Sequence, residues 1–187
     1  MTIGIILHPY GEDKPAGLAR TIFELAHALI THDRENEYIL YVKNRPRVLP
    51  DISGSNWRME IVGGGMFWLE KLRNAPQADV YVFNTPVLPF FFTPKRSIAL
   101  ALDFAYCYFP HAGVRGTLAR MATQWYHGFS MRKADHVIAM SDATKRDIFR
   151  FFRVPKDKIT TCYWGYKNMS DGAEELIPVP GDFFLFV

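Results

Sequence analysis

The chain has 187 residues, of which 49% are hydrophobic, 22% charged and 15% aromatic, the balance of a soluble globular protein with a substantial core. A net charge of +3, from 22 basic and 19 acidic residues, is too mild to mark a nucleic-acid-binding protein. No run reaches the roughly 18 apolar residues of a membrane span, the N-terminus lacks the basic and apolar regions of a signal peptide, and two cysteines in no metal-type pair, Cys107 and Cys162, fit a reduced, cytoplasmic compartment. Residues 3–7 are an apolar run that predicts a buried strand, and a loop rich in Gly, Pro and charge follows over 8–15. From Gly17 onward, Leu18, Ile22, Leu25, Ala26, Leu29 and Ile30 recur at steps of three and four, one face of a helix. Strands are predicted over 38–42 and 59–62, the second closed by Gly63, Gly64 and Gly65, then a short helix over 67–73 and strands over 79–83 and 97–102. A long helix over 114–133, a strand over 137–140, a helix over 142–152 with Ser141 as its N-cap, and a short strand over 159–163 complete the series.

Strands apolar on both faces and separated by helices argue a parallel sheet covered on both sides. The expected fold class is therefore α/β, a Rossmann-like, doubly wound, mainly parallel sheet over residues 1–165. Residues 166–182, rich in Gly, Pro, Ser and acid, are expected to be a linker, and the apolar run 183–187 the first strand of a truncated second domain.

Three stretches, in order, carry a family resemblance. Gly17-Leu18-Ala19-Arg20-Thr21 follows the first strand, Asn84-Thr85-Pro86-Val87-Leu88-Pro89 precedes Ala101-Leu102-Asp103-Phe104, and Ala134 to Asp147 contains a helix end, a strand and Ser141-Asp142-Ala143-Thr144-Lys145-Arg146-Asp147. Val154-Pro155-Lys156-Asp157-Lys158-Ile159 and Trp164-Gly165-Tyr166 extend the pattern. Together they resemble the retaining GT-B glycosyltransferases often called group 1. The resemblance implies that this chain is the first, acceptor-side half of a GT-B fold, facing its own C-terminal domain, which holds the nucleotide sugar. It implies a hexose moved with retention to a saccharide or lipid-linked acceptor in polysaccharide or glycolipid assembly, with no metal or other cofactor beyond the nucleotide-sugar substrate. The isolated chain is then expected to be inactive, because the donor-binding basic residues and paired glutamates of the family lie beyond residue 187.

The candidate site residues follow. Gly17 opens a helix, where free N–H groups attract phosphate; the resemblance implies contact with the donor diphosphate, and the alternative is a plain tight turn. Asp103 leaves a buried strand at the edge where ligands bind, as a catalytic carboxylate that orients an acceptor hydroxyl or steadies developing charge, or else as a turn residue. The His that the family carries before this position is Leu102 here, with His8 and His111 as spare imidazoles elsewhere. Asn84, Tyr106, Ser141, Lys145 and Arg146 are candidates for acceptor binding. Lys145, Arg146, Arg150 and Arg153 cluster on one helix, with Arg146, Arg150 and Arg153 spaced to share a face, either solvated or turned to an anionic acceptor or a membrane surface. Phe90, Phe91 and Phe92, with Phe104, Tyr106, Tyr108 and Phe109, are expected to flank the strand end of Asp103, mostly as packing. Two alternatives stay open: another GT-B enzyme, such as a sugar-nucleotide epimerase or a phosphorylase, and a non-catalytic Rossmann-like binding domain. A Glu-x7-Glu run in a second domain favours transfer.

Overall fold

A computed structural model describes residues 1–12, 17–109 and 113–165. The expected linker over 166–182, the strand over 183–187 and His111 lie outside the described residues. Seven strands, β1 (Thr2–Ile6), β2 (Glu37–Val42), β3 (Trp57–Ile61), β4 (Val80–Phe83), β5 (Ser97–Ala101), β6 (His136–Ala139) and β7 (Ile159–Thr161), pair in the order β3-β2-β1-β4-β5-β6-β7. Every pairing is parallel, as the uniformly apolar runs require. β4 is the middle strand of the seven and β1 lies next to it: Ile3 lies beside Tyr38 on one side and Val80 on the other.

Alternate residues of each strand serve opposite faces. Ile5, Leu7, Leu40, Val42 and Val82 pack against Ile22, Ala26 and Ile30 of helix α1 (Gly17–His32). Ile6, Ile39, Tyr41, Tyr81 and Phe83 pack on the other face against Trp68, Leu69 and Leu72, which belong to a 3-10 helix over Trp68–Asn74 where a short helix is expected. A third cluster joins Ala101, Val137, Ala139 and Ile159 to Phe104, Met131, Ile148 and Phe152.

The remaining helices are α2 (Ala105–Tyr108), α3 (Gly113–Lys133) and α4 (Asp142–Asp147). The helix expected over 142–152 is continuous in span but changes pitch. After α4 it becomes a π turn over Ile148–Phe152 and stops at Arg153, whose φ of 53° is left-handed, with Pro155 just beyond to forbid resumption. Neither α2 nor the 3-10 turn Lys156–Lys158 has a sequence periodicity long enough to announce it.

One expectation is corrected. Phe90, Phe91 and Phe92 do not flank Asp103. To enter β5 in the same direction as β4, the chain must travel back along the flank of the sheet, and these residues lie on that return. Phe90 stacks on Tyr126 at 4.6 Å and on Phe129 at 5.2 Å, both in the second half of α3. The Glu70 carboxylate accepts from the N–H groups of Phe90, Phe91 and Phe92. The Lys133 ammonium donates to the carbonyls of Pro89, Phe90 and Phe92 at 2.7–2.9 Å.

Gly4 is a tight point of β1. A Cβ there would stand 2.6 Å from Tyr41 Cε2 and 3.0 Å from Ala78 Cβ. Tyr41 has little room to yield, being fully buried, stacked on Tyr81 at 5.7 Å and bonded through its hydroxyl to the Pro76 carbonyl. Gly4→Ala is therefore expected to destabilise the domain by about 1–3 kcal/mol, measured as a lower urea midpoint at unchanged slope. An unmoved midpoint would show that the Tyr41 ring shifts freely.

Candidate functional site

Parallel strands end at a common edge, and the strand order reverses direction on either side of β1 and β4. The chain leaves β1 for α1 and β2 on one side, and leaves β4 for β5 on the other, so a crevice opens between them at the carboxyl ends of the strands. His8 and Asn84 stand at this point. Asn84 is buried, and its amide donates to the His8 carbonyl, so it joins the two strand exits. The His8 ring meets Trp68 edge-on at 5.4 Å, with Nδ1 3.5 Å from Glu12 Oε1. Burial lowers the His8 pKa, with Glu12 opposing and Lys43 adding to the shift, so the imidazole is neutral at pH 7. The sequence offers His8 only as a spare imidazole at the end of the first strand; its place in the crevice follows from strand order.

Asp103 and Ser141 lie side by side in the same sense. Ala101 pairs with Ala139, and each candidate sits two residues past its half of that pair. Ser141 Oγ accepts from Thr144 N at 3.0 Å, the predicted N-cap of α4. Thr144 Oγ1 donates onward to the Leu102 carbonyl at 2.7 Å, which fixes the β6 exit against the β5 exit. Asp103 is exposed, and its Oδ1 accepts from Ala105 N at 3.1 Å at the start of α2. Gly17 opens α1, which follows β1, so it too belongs to this edge. A Cβ on Gly17 would meet nothing within 4 Å, so packing among the described residues does not demand the glycine.

The other candidates are placed differently. The Tyr106 hydroxyl lies 2.8 Å from His127 Nδ1, and burial pushes the phenol pKa up, so this hydroxyl is engaged with α3. Burial drives the His127 pKa down to about 4, which leaves that ring neutral at pH 7. Lys145 and Arg146 line a groove of about 390 Å³ with Asp142, Phe149, Lys156 and Ile159. Since Lys156 precedes β7 and Ile159 opens it, the groove runs down the flank of the sheet, away from the strand exits. Asp142 anchors its upper end by accepting from Thr161 Oγ1 at 2.7 Å and the Tyr163 hydroxyl at 3.0 Å. The structure thus gathers Gly17, Asn84, Asp103 and Ser141 at one edge, with Tyr106 just beyond Asp103 and Lys145 and Arg146 outside it. Among the described residues there is no cluster of three or more His, Cys, Asp or Glu side chains that could hold a metal, and no helix is long and apolar enough to cross a membrane.

Residues 15–167 match the family model described as Glycosyltransferase Family 4, which spans most of the chain and all the strand exits described above from Gly17 onward. No curated protein matches the chain.

The Tyr106–His127 pair generates a pH dependence. A folded-state pKa of about 4 lies below the ordinary imidazole value of about 6.5, so between the two the unfolded chain binds more protons than the folded one. The stabilisation from the neutral ring is then complete above about pH 6.5 and is lost as pH falls towards 4. Thermal melts from pH 7 to pH 4.5 are expected to show a steeper fall for the wild type than for His127→Gln, and parallel curves would show that the ring titrates normally.

Proposed function

Because the chain belongs to Glycosyltransferase Family 4, a GT-B glycosyltransferase family, we propose that it is the acceptor-side domain of a retaining, group 1 enzyme that moves a hexose from a nucleotide sugar to a saccharide or lipid-linked acceptor in the cytoplasm, in polysaccharide or glycolipid assembly. The observation that carries this reading is the exposed carboxylate of Asp103 at a strand exit that Thr144 holds against the exit bearing Ser141. Transfer forms a bond from the acceptor oxygen to the anomeric carbon and breaks the bond to the nucleotide diphosphate. An aligned carboxylate at the crevice orients that hydroxyl or steadies the positive charge that develops on the sugar. The N-terminus of α1 at Gly17 turns free N–H groups and the positive end of a 16-residue helix towards a diphosphate. The part of a C-terminal domain beyond residue 187 would supply the groups that hold the nucleotide, so the chain alone would not transfer sugar. The reaction would take the nucleotide sugar as substrate and need no metal.

The imidazole that the family places before this carboxylate is Leu102 here, whose carbonyl is taken by Thr144. His8 offers a neutral imidazole at the same edge from β1, and in the proposed site it faces the sugar in place of the missing ring. Asn84 supports the site by holding the His8 backbone, and Ser141 by aiming the first turn of α4.

Asp103→Asn in the full-length enzyme separates a catalytic role from a structural one. The asparagine oxygen still accepts from Ala105 N, so the turn into α2 survives while the charge is removed. Turnover is expected to fall about 10²- to 10⁴-fold with the denaturation midpoint unchanged. Near-normal turnover would make Asp103 only a turn residue.

A further inference from the structure

Helix α3 carries an apolar stripe on its outer surface. Val114, Leu118, Met121 and Trp125 are 77%, 60%, 56% and 62% exposed. Their steps of four, three and four place them on one face, over about 16 Å of helix. None of the residues from Gly113 to His127 is buried, so the first two thirds of α3 stands proud of the sheet. Phe91, 82% exposed, adds a further apolar ring beside the stack that Phe90 makes with Trp125. Isolated exposed apolar residues are ordinary, but an aligned set of this kind marks an interaction surface.

Charge identifies the partner. α3 has no Asp or Glu over its 21 residues; Arg132 and Lys133 at its end are bonded to the carbonyls of Phe152 and of Pro89, Phe90 and Phe92, and Arg115 and Arg120 are the cations alongside the stripe. Two such faces would repel one another, which argues against a second copy. An apolar stripe with an interfacial Trp and a purely basic border is complementary to an anionic lipid surface. A groove of about 270 Å³ opens beside the stripe, lined by Met121, Trp125, Arg132 and Phe151 among others. It mixes polar and apolar lining, and within it Arg132 Nη1 donates to the Phe152 carbonyl at 3.1 Å. We propose that α3 docks the protein onto an anionic membrane surface, lying in the plane of the headgroups rather than crossing them. The docking does not depend on the identity of the acceptor or on the catalytic residues.

The test is sedimentation of the full-length protein with vesicles of phosphatidylcholine alone and of equimolar phosphatidylcholine and phosphatidylglycerol. Wild type is expected to partition onto the anionic vesicles, with binding weakened by high salt. Leu118→Ser with Trp125→Ser is expected to reduce that partition roughly ten-fold or more, and Arg115→Gln to reduce it less. The transfer rate to a soluble acceptor should stay the same, since these side chains lie outside the proposed catalytic edge; Leu118→Ser alone should leave the melting temperature unchanged, whereas Trp125→Ser also removes stacking on Phe90 and Phe129. Equal binding to both vesicle types, no binding to either, or unimpaired binding by the double variant would overturn the proposal. So would a dimeric wild type that the double variant converts to a monomer, which would make the stripe a self-association face.

Discussion

Parallel strands cannot be joined by hairpins, and the organisation of this domain depends on that constraint. Each strand must hand the chain to a helix or a long return segment before the next begins, so every carboxyl end opens at one edge and every amino end at the other. Residues far apart in sequence, from Gly17 to Ser141, reach that edge for this reason alone. The reversal of strand order at β1 and β4 then decides where along the edge the loops part, and His8 and Asn84 occupy the parting.

Much of the polar chemistry at this edge is spent on holding it together. The Asn84 amide serves the His8 carbonyl, Thr144 serves Leu102, Ser141 serves Thr144, and the Tyr106 hydroxyl meets His127. Buried or half-buried polar groups need such partners, because leaving one unmade costs more than the net gain from making it. Asp103 differs in kind: it is exposed, and Oδ1 accepts from Ala105 N while the carboxylate faces solvent. A scaffold that satisfies its own loops internally keeps them in place without help from a bound substrate.

The strands were legible in the sequence because burial on both faces writes continuous apolar runs, and the observed ends differ from the expected ones by one or two residues, as helix and strand ends commonly do. The Ser141 cap was legible because its bond is local. Contacts made across the sheet were not. Nothing near Asn84 in sequence indicates that it reaches His8, and nothing near Phe90 indicates Glu70 or Lys133. Sequence adjacency of Phe90, Phe91 and Phe92 to Asp103 says nothing about the return path that carries them to the other end of the sheet. The sequence marks a long helix over 114–133, and only the structure shows which side of it meets the sheet. For the site, residue types and order were readable, whereas the separation of Lys145 and Arg146 from the strand exits required the direction of α4.

The grip on the segment at 89–92 has a mechanical consequence. Glu70 takes up its amide hydrogens from one side and Lys133 its carbonyl oxygens from the other, so a few peptide units span the gap between two helical elements as a tie rod. Slippage of α3 along the flank would have to drag this rod, and with it the exit of β4. Side-chain packing alone would let a helix slide by trading one contact for another. Here the load passes from the Lys133 ammonium into a short main-chain segment that leads back towards the exit of β4.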